Sequence, residues 1–334
     1  MRSSEAFYNG KVVECQGQIN SALRYLGVDV VFDMNIGADF TILEESNEFV
    51  KRYLEKKNLP MMTSCCPGWV SFIKNAYPEY IKNLSTCKSP QQMLGALISK
   101  YYAKKINKKS TDLFVVSVVP CLVKKLEAKQ PNINASKGFD VDATITTNEL
   151  VELIKESNID FCNLKPSKFD DFFGCASGAG AIFGTTGGVM ESALRSIGDI
   201  IDKKDLDEAM YKLVRGQEGI RTASIKLKNG EIKLAIASGL VNAKAIMERI
   251  KNGEYFDFIE IMACPGGCVG GGGQPRNLEN LNIIQERANV LYNSSDKIKK
   301  RKAHFNDSII NIYKKYIGDV GGKTAYRILH RKYN

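Results

Sequence analysis

Two cysteines stand four residues apart in the segment 260–275, which reads EIMACPGGCVGGGGQP. Cys264 and Cys268 share this segment with six glycines, at positions 266, 267 and 270–273. Because every glycine adds backbone entropy that folding must remove, such a run is unfavourable inside a helix or a strand. It is typical of a backbone that passes very close to a bulky group. Two thiols beside that backbone indicate a metal centre.

Two more cysteines lie in comparable turns. Cys66 is part of TSCCPGW (63–69), and Cys121 follows Pro120 and the apolar run LFVVSVV at 113–119. The apolar run predicts a strand buried on both faces of a parallel sheet, so Cys121 should lie just beyond the strand's carboxyl end. Open α/β sheets bind their ligands at that edge.

Four thiolates drawn from three distant segments suit a [4Fe–4S] cluster. Zinc also binds four thiolates, but its structural sites usually combine two close Cys-x-x-Cys pairs, and this sequence lacks that pattern. The other alternative is a set of unrelated buried thiols. The only two histidines, His304 and His330, lie in the C-terminal region, so we expect no histidine-ligated metal.

The composition narrows the class of protein. The chain has 334 residues, 44% hydrophobic and 25% charged, as in a globular protein of about two domains or lobes. It has no run of 18 apolar residues and no secretory-type apolar segment near position 1, so we expect no membrane span, no export and a cytoplasmic location. Nine cysteines in such a chain are expected to be thiols or metal ligands rather than disulfides.

The net charge of +10 favours an acidic partner. The lysines and arginines are spread along the chain, and no nucleic-acid-binding signature is present. We therefore expect an acidic protein partner and no nucleic acid.

Hydrophobic periodicity and turn residues predict an α/β fold with mainly parallel sheets. The expected helices are 16–26, 39–57, 89–106, 148–156, 191–201 and 240–251. The expected strands are 28–33, 113–119, 141–147 and 256–262, with a hairpin over 222–237 around Asn229-Gly230. The glycine-rich stretch 174–190 matches neither a dinucleotide fingerprint nor a phosphate loop, and close helix–strand packing is its favoured interpretation. The basic tail from about 296 is predicted to be a helical, solvated segment that wraps the fold.

Three segments resemble the signature segments of the [FeFe]-hydrogenase catalytic domain: TSCCPGW (63–69), PCLVKKLE (120–127) and EIMACPGGCVGGGGQP (260–275). Shorter matches, such as TILEES, SPQQMLG, VDATITTNEL and SGAGAIFGTTGGVMESALR, extend the resemblance over about residues 16–334. The resemblance implies a catalytic domain at 1–295 with two α/β lobes, about 1–135 with 250–295 and about 136–250. A small-subunit-like helical segment would follow at 296–334.

The resemblance also implies the cofactor and the reaction. Cys66, Cys121, Cys264 and Cys268 would hold a [4Fe–4S] subcluster, and Cys268 would bridge to a diiron subcluster with CO, cyanide and azadithiolate ligands. Together these form the H-cluster, which would catalyse 2 H⁺ + 2 e⁻ ⇌ H₂. The implied partners are a ferredoxin-type acidic electron carrier and hydrogenase maturation factors.

A proton path is implied by four more positions. Cys65 matches a thiol relay beside the diiron unit, and a thiol pKa of ~8.5 suits that task. Glu45, Ser85 and Glu48 match the onward path to solvent. Glu45 and Glu48 are three residues apart and share a helix face, although two solvated carboxylates would show the same spacing.

Residues around the cofactor are implied in the same way. Lys124 matches a donor to an iron-bound cyanide, and a surface salt bridge to Glu127 is the alternative. Gln91, Phe183 and Met262 match pocket-lining residues. For Phe183 and Met262 alone, ordinary core packing is the simpler interpretation.

Three features depart from the family pattern. A strand of small residues and proline, which in the family precedes the helix expected at 16–26 and lies against the diiron unit, is not in this sequence, so we expect weak or no turnover if the protein lacks it. Val119 stands where the family usually has Met. Cys15 is the only cysteine ahead of Cys65, so no accessory cluster is expected there, and electrons should reach the [4Fe–4S] subcluster directly from the partner.

Two other functions share part of this pattern. A hydrogenase-like iron–sulfur assembly protein would keep the four cluster cysteines but would not need Cys65, Lys124, Glu45, Ser85 and Glu48. A slow H₂-sensing homologue is compatible with Val119 and would usually carry an appended signalling module. The enzyme is the favoured function, and the other cysteines, Cys15, Cys87, Cys162 and Cys175, are interpreted as structural thiols.

Overall fold

A computed structural model of the chain describes residues 4–131, 133–135, 138–203, 208–228, 230–276 and 279–333. These residues form a mixed α/β fold with parallel strand pairs, as the sequence predicts. The helices are α1 Gln16–Tyr25, α2 Met34–Glu55, α3 Pro67–Ala76, α4 Pro90–Leu97, α5 Ala103–Lys105, α6 Val123–Ala128, α7 Thr147–Glu156, α8 Gly178–Ile182, α9 Gly188–Asp202, α10 Glu208–Lys212, α11 Leu240–Lys251, α12 Ile283–Lys297, α13 Asp307–Ile312 and α14 Lys323–Leu329. The strands are β1 Met61–Met62, β2 Val116–Val119, β3 Ala143–Thr146, β4 Ile220–Leu227, β5 Gly230–Ser238 and β6 Phe258–Met262. No helix among these residues is long and apolar enough to cross a membrane.

The larger sheet has four strands in the order β1-β6-β5-β4. β6 lies between β1 and β5 and pairs parallel with both, while β4 and β5 form the expected antiparallel hairpin. Asn229 of the expected turn lies outside the described residues. All of β6 is buried, because Phe258 packs into an apolar cluster with Met190 and Leu194 of α9, and Ile259 and Ile261 pack into another cluster with α3 and α11. This strand ends two residues before Cys264.

The smaller sheet consists of β2 and β3, paired in parallel from Val116↔Ala143 to Val119↔Thr146. The expectation of a strand buried on both faces is wrong here: Val116 is 43% exposed and Phe114 is 75% exposed. A sheet of two strands cannot cover its own members as a central strand is covered. The strand nevertheless points its carboxyl end at Cys121, as predicted.

The expected strand at 28–33 is absent. Val31 donates its N–H to Asp170 Oδ2 at 2.7 Å and accepts from the Asp170 N–H at 2.9 Å, so one residue rather than a neighbouring strand holds this segment. Asp33 then caps α2 by accepting from the Asn35 N–H at 2.9 Å, which explains why α2 begins at Met34 rather than at 39.

Both sheets join strands from opposite sides of the expected lobe boundaries. β2 precedes the boundary near 135 and β3 follows it, and β5 and β6 stand on either side of the boundary near 250. The division into lobes stays a prediction.

The basic tail is not the solvated segment that its composition indicates. Ile309, Ile328 and Leu329 are fully buried in the same apolar cluster as side chains of α2 and α4. The end of the tail also pairs with the chain near Cys87, through Lys88 N–H to Leu329 O at 2.9 Å and Arg331 N–H to Thr86 O at 2.8 Å. Lysines such as Lys314 and Lys315 are exposed, whereas Lys302 and Arg331 are buried, so the tail contributes both charged and apolar side chains to the interior.

Candidate metal centre

The four predicted ligand cysteines converge at the ends of three strands. Cys66 follows β1 and caps α3, Cys121 lies between β2 and α6, and the loop after β6 carries Cys264 and Cys268. Burial raises the pKa of the Cys268 thiol, and Cys121, Cys66 and Cys264 raise it further, because thiolates this close repel one another. The Ala263 N–H donates to Cys66 Sγ at 3.4 Å, so the loop touches the first cysteine directly.

The spacing of these cysteines fits a polynuclear group better than a single ion. Tetrahedral Zn–S bonds of about 2.3 Å would place the ligand sulfurs about 4 Å apart. Within the described part of the chain, no three of the four cysteines bring their sulfurs within 4.8 Å of one another. In an iron–sulfur cluster each cysteine sulfur binds a different iron, which accommodates the wider spacing. The ligand roles themselves stay a prediction.

Backbone N–H groups also point at the sulfurs. The Ala263 and Trp69 N–H groups lower the pKa of the Cys66 thiol in part, and the Gly272 N–H does so for Cys264, although burial raises both pKa values overall. Hydrogen bonds of this kind stabilise thiolate ligands.

The glycine-rich loop lies against two other backbones with no space for side chains. Gly267 has φ +88°, and a Cβ there would meet the Thr186 nitrogen at 2.7 Å. A Cβ on Gly271 would lie 2.1 Å from the Pro120 carbonyl oxygen. The other glycine-rich stretch, 174–190, packs here too: Thr186 N–H donates to Gly266 O at 3.0 Å.

Cys65 is buried close to Cys66 and Cys268. Burial raises the pKa of the Cys65 thiol well above its usual value, the charges of Glu45 and Cys66 raise it further, and the Lys124 ammonium opposes the rise. Lys124 Nζ donates to Cys65 O and to Glu127 Oε2, each at 2.9 Å. Lys124 is only 8% exposed, so its contact with Glu127 is a buried ion pair rather than a surface salt bridge.

Glu127 organises a buried polar network, of which the sequence analysis anticipated only the contact with Lys124. Its Oε2 accepts from Lys124, from Gln91 Nε2 at 2.9 Å and from Ser89 Oγ at 2.8 Å. Gln91 Oε1 accepts in turn from Ser117 Oγ at 2.9 Å. The only local signal for this network is the spacing of three residues between Lys124 and Glu127 on α6.

The two carboxylates of the predicted proton path are buried, not solvated. Neither oxygen of Glu45 has a hydrogen-bond partner of good geometry, and burial, followed by the charge of Glu48, raises the pKa of Glu45 to about 8. The Ser85 hydroxyl, which lowers the pKa of Glu45 in part, donates to Glu48 Oε2 at 3.1 Å. Glu48 also binds Arg52 at 2.7 Å, a partner that the i,i+4 spacing on α2 could have indicated.

Cys87 and His330, which the sequence analysis placed outside any site, lie beside Glu48. The Cys87 Sγ is 3.7 Å from Glu48 Oε2 and 3.9 Å from His330 Nδ1. His330 Nε2 is 2.9 Å from Glu44 Oε2. The ligand atoms of Glu48, Cys87 and His330 all lie within 4.8 Å of one another, which the two-histidine inventory did not anticipate.

Phe183 and Met262 belong to the core cluster that also contains Cys65 and touches Cys268. Both residues therefore pack in the core and lie beside the candidate centre. Val119 is buried at the end of β2, next to Pro120. Of the cysteines interpreted as structural, Cys162 and Cys175 are exposed, whereas Cys15 and Cys87 are buried.

Comparisons with known proteins agree with this geometry. Residues 1–272 match the family "Iron only hydrogenase large subunit, C-terminal domain", and residues 281–334 match "Iron hydrogenase small subunit". The chain is 45% identical to "Iron hydrogenase 1" of Clostridium pasteurianum over 98% of its own length, but it spans only 58% of that relative. A solved structure of the [FeFe]-hydrogenase HydA1 from Chlamydomonas reinhardtii superposes with a TM-score of 0.83 at 37% identity, over 95% of this chain and 87% of that one.

A second kind of relative is more distant. The chain is 29% identical to "Cytosolic Fe-S cluster assembly factor narfl" of Xenopus tropicalis, over 99% of this chain and 72% of that protein. The chain is thus similar in sequence to proteins with two different named functions.

The tight packing of the loop predicts a specific cost for a methyl group at Gly267. Gly267→Ala and Gly253→Ala both place a side chain at positive φ, +88° and +91°, but only the Gly253 position has free space within 4 Å. We expect each variant to lose about 1–2 kcal/mol of unfolding free energy from the left-handed backbone. Gly267→Ala should lose about 1–3 kcal/mol more from overpacking and bind much less iron after anaerobic reconstitution with iron and sulfide. Equal iron binding by the two variants would contradict a close-packed loop.

The unpaired carboxyl of Glu45 predicts a pH-dependent stability. Because its pKa rises from 4.5 to about 8 on folding, the protonated form contributes stability that is complete below pH 4.5 and is lost as the pH approaches 8. Glu45→Gln keeps the shape and cannot ionise. As the pH is raised from 5 to 9, its unfolding free energy should therefore increase by roughly 2–4 kcal/mol relative to that of the parent, at about 1.4 kcal/mol per pKa unit. Urea unfolding of the iron-free chain measures this, with exposed Glu156→Gln on α7 as control. An identical pH dependence in parent and Glu45→Gln would show that Glu45 is ionised in the fold.

Proposed function

This chain belongs to the iron-only hydrogenase family, and on that premise we propose that it catalyses the reversible reduction of protons to H₂, 2 H⁺ + 2 e⁻ ⇌ H₂. The observation that carries the proposal is the position of Cys65 and Glu45 beside the four converging cysteines. A protein that only stores or passes on an iron–sulfur cluster needs the four cysteines. It has no evident use for a buried thiol and a buried, protonated carboxyl next to them.

The cofactor in this proposal is the H-cluster. Cys66, Cys121, Cys264 and Cys268 would hold its [4Fe–4S] subcluster, and Cys268 would also bridge to the diiron subcluster with CO, cyanide and azadithiolate ligands. When bound, the H-cluster supplies the iron at which protons and electrons combine. The convergence of the four thiols and the N–H groups aimed at the sulfurs of Cys66 and Cys264 support this assignment.

Four residues would orient the diiron subcluster. Lys124 would donate to an anionic cyanide ligand, and its ammonium is already fixed between Glu127 and the Cys65 carbonyl. A fixed, buried cation stabilises a nearby anion strongly, because little water competes for it. Gln91, Phe183 and Met262 would line the pocket, with Gln91 held by hydrogen bonds at both ends of its amide.

The chain would move protons along a row of buried groups. Cys65 holds its proton as a neutral thiol, because burial and the charges around it disfavour the thiolate. Glu45, with a pKa of about 8, can accept and release a proton near neutral pH. Ser85 donates to Glu48, and Glu48 binds Arg52, which is partly accessible to solvent and marks the outer end of the row.

An iron–sulfur assembly protein without diiron chemistry is the alternative, supported by the 29% identity to narfl. The two functions differ in what the pocket around Cys65 must do. For assembly, Lys124 and Glu45 would be ordinary buried ionisable groups, which proteins rarely keep without a task. The slow H₂-sensing homologue shares the whole pocket and differs from the enzyme only in turnover.

Infrared spectroscopy after maturation tests the function. Bands of iron-bound CO and cyanide, together with H₂ evolution, are expected of the matured parent chain. Cys65→Ala should keep these bands, because Cys65 is not one of the four ligands, while H₂ evolution falls at least about 100-fold with the loss of the proton relay. The exposed Cys162→Ala is the matched control and should match the parent. A parent chain that binds a [4Fe–4S] cluster yet shows no such bands would support the assembly protein instead.

The partner in this proposal is an acidic electron carrier of the ferredoxin type, and maturation factors would build the diiron subcluster. Cys121 and Cys264 are partly exposed, so a carrier can approach the edge of the centre. The net charge of +10 would steer an acidic carrier toward the chain. Nine cysteines in a chain of this composition suit a reducing compartment, and we propose a cytoplasmic location.

Ionic strength tests the electrostatic part of this partnership. Because charges are screened beyond about 10 Å at 0.1 M salt, H₂ evolution driven by a reduced acidic ferredoxin should fall several-fold when salt is raised to 0.5 M. A cationic dye such as reduced methyl viologen is the control and should not lose activity in this way. A ferredoxin-driven rate that does not change with salt concentration would rule out steering by the basic surface.

A further inference from the structure

Glu260 is a fully buried carboxylate in the middle of β6, and its two oxygens bind a different element. Oε1 accepts from the Gly187 N–H and Oε2 from the Met190 N–H, each at 2.7 Å. These N–H groups belong to the start of α9, whose capping position is Gly187 and so has no side chain to bind them. The first turn of a helix leaves its N–H groups without partners inside the helix, and a carboxylate there also compensates the helix dipole.

The segment just before α9 is in contact with the cysteine loop. Thr186 N–H donates to Gly266 O at 3.0 Å, and Val269 N–H donates to Gly184 O at 3.2 Å. A Cβ on Gly184 would lie 3.6 Å from the Cβ of Cys268, so the two backbones are separated by little more than one methyl group. Arg221 of β4 also binds this segment, by donating to Thr186 Oγ1 at 3.0 Å.

These contacts form a closed ring. β6 carries Glu260 and, four residues later, Cys264. The loop from Cys264 to Cys268 rests on residues 184–186, those residues lead into α9, and the start of α9 returns to Glu260. A change at Glu260 therefore reaches the loop through residues 184–186 as well as along the strand.

We propose that Glu260 is a positioning residue of the metal centre: by binding the start of α9 to β6, it sets the cysteine loop against residues 183–187. The inference rests on the proposed function only in taking Cys264 and Cys268 as cluster ligands, and it does not require H₂ chemistry. Phe183, the proposed pocket-lining residue, heads the same segment, so Glu260 sets the distance between that side chain and Cys268. Two acceptor oxygens are needed for this task, and Glu is the side chain that provides them at this length.

Glu260→Gln tests the proposal with a nearly unchanged shape. The amide keeps one acceptor and turns an NH₂ group toward the other N–H, so either Gly187 or Met190 loses its partner. The matched control is Glu191→Gln, since Glu191 is also fully buried, lies on α9 and binds Arg195 and Arg215 at 2.6 and 2.7 Å rather than the loop. Both variants lose a buried carboxylate, but only one lies in the ring.

The first readout uses the iron-free chain. Hydrogen exchange followed by mass spectrometry should show amides in 184–190 and 264–270 exchanging at least about 10-fold faster in Glu260→Gln, as expected when a local segment opens more easily. Glu191→Gln should leave exchange in 264–270 at the parental rate. The second readout is the electron paramagnetic resonance spectrum of the reduced, reconstituted [4Fe–4S] cluster, whose g values should shift in Glu260→Gln only.

Parental exchange in 264–270 for Glu260→Gln would overturn the proposal. Equal acceleration in both variants would also overturn it, because the effect would then be general destabilisation. If Glu260→Gln does not fold, Glu260→Asp serves as the second variant: it keeps the charge, cannot reach both N–H groups, and should speed exchange in the same two segments relative to the rest of the chain. Unchanged exchange there would again overturn the proposal. Failure of the hydrogenase function would appear instead as missing CO and cyanide bands in the parent, with the exchange results unaffected.

Discussion

The loop from Cys264 to Gly273 is packed against two neighbouring backbones and the Thr146 side chain, and the arrangement of the candidate centre depends on that packing. Gly267 lies on Thr186, Gly271 lies on the Pro120 carbonyl, and a Cβ on Gly273 would meet the Thr146 side chain at 2.7 Å. Pro120 follows β2 and Thr146 ends β3, whereas the loop itself follows β6. The loop is thus the place where the ends of the two sheets meet. Only glycine permits these approaches, because a Cβ at these positions would overlap the neighbouring atoms.

The buried carboxyl groups near the candidate centre differ in whether a cation lies beside them. Glu48 and Glu127 are buried with cations, Arg52 and Lys124, at 2.7 and 2.9 Å. Glu45 is buried without one, and its pKa of about 8 follows from that difference rather than from its position in the sequence. A buried charge is stable when it is paired and costly when it is alone, so the unpaired carboxyl keeps its proton. Two residues one turn apart on α2 thereby acquire different chemistry.

The sequence predicted the features that depend on residues close together in the chain. Alternation and turn residues predicted β6 and the position of Cys264 just after it, and the Pro-Cys boundary predicted the position of Cys121. The strand expected at 28–33 failed because an apolar run does not reveal whether a neighbouring strand exists. The predicted burial of Val116 was wrong for a related reason, since the number of strands in a sheet is a property of the whole fold. Glu260 shows the same limit: its alternating position in β6 was readable, but its partners on α9 lie about 70 residues away in sequence.

The tail gives the clearest case, because composition alone made it look solvated. Its buried residues join the core around α2, and its last described residues touch the proposed proton row: Tyr333 OH donates to Ser85 O at 3.0 Å, and a ring nitrogen of His330 lies within 4.8 Å of a Glu48 carboxylate oxygen. Exclusion of water preserves the pKa differences between the buried groups of this row, since water would screen the charges that cause them. The tail covers this row from outside. Burial of the proposed relay and completion of the apolar core are therefore achieved by the same contacts, and the tail is as much a part of the candidate site as the cysteine loop.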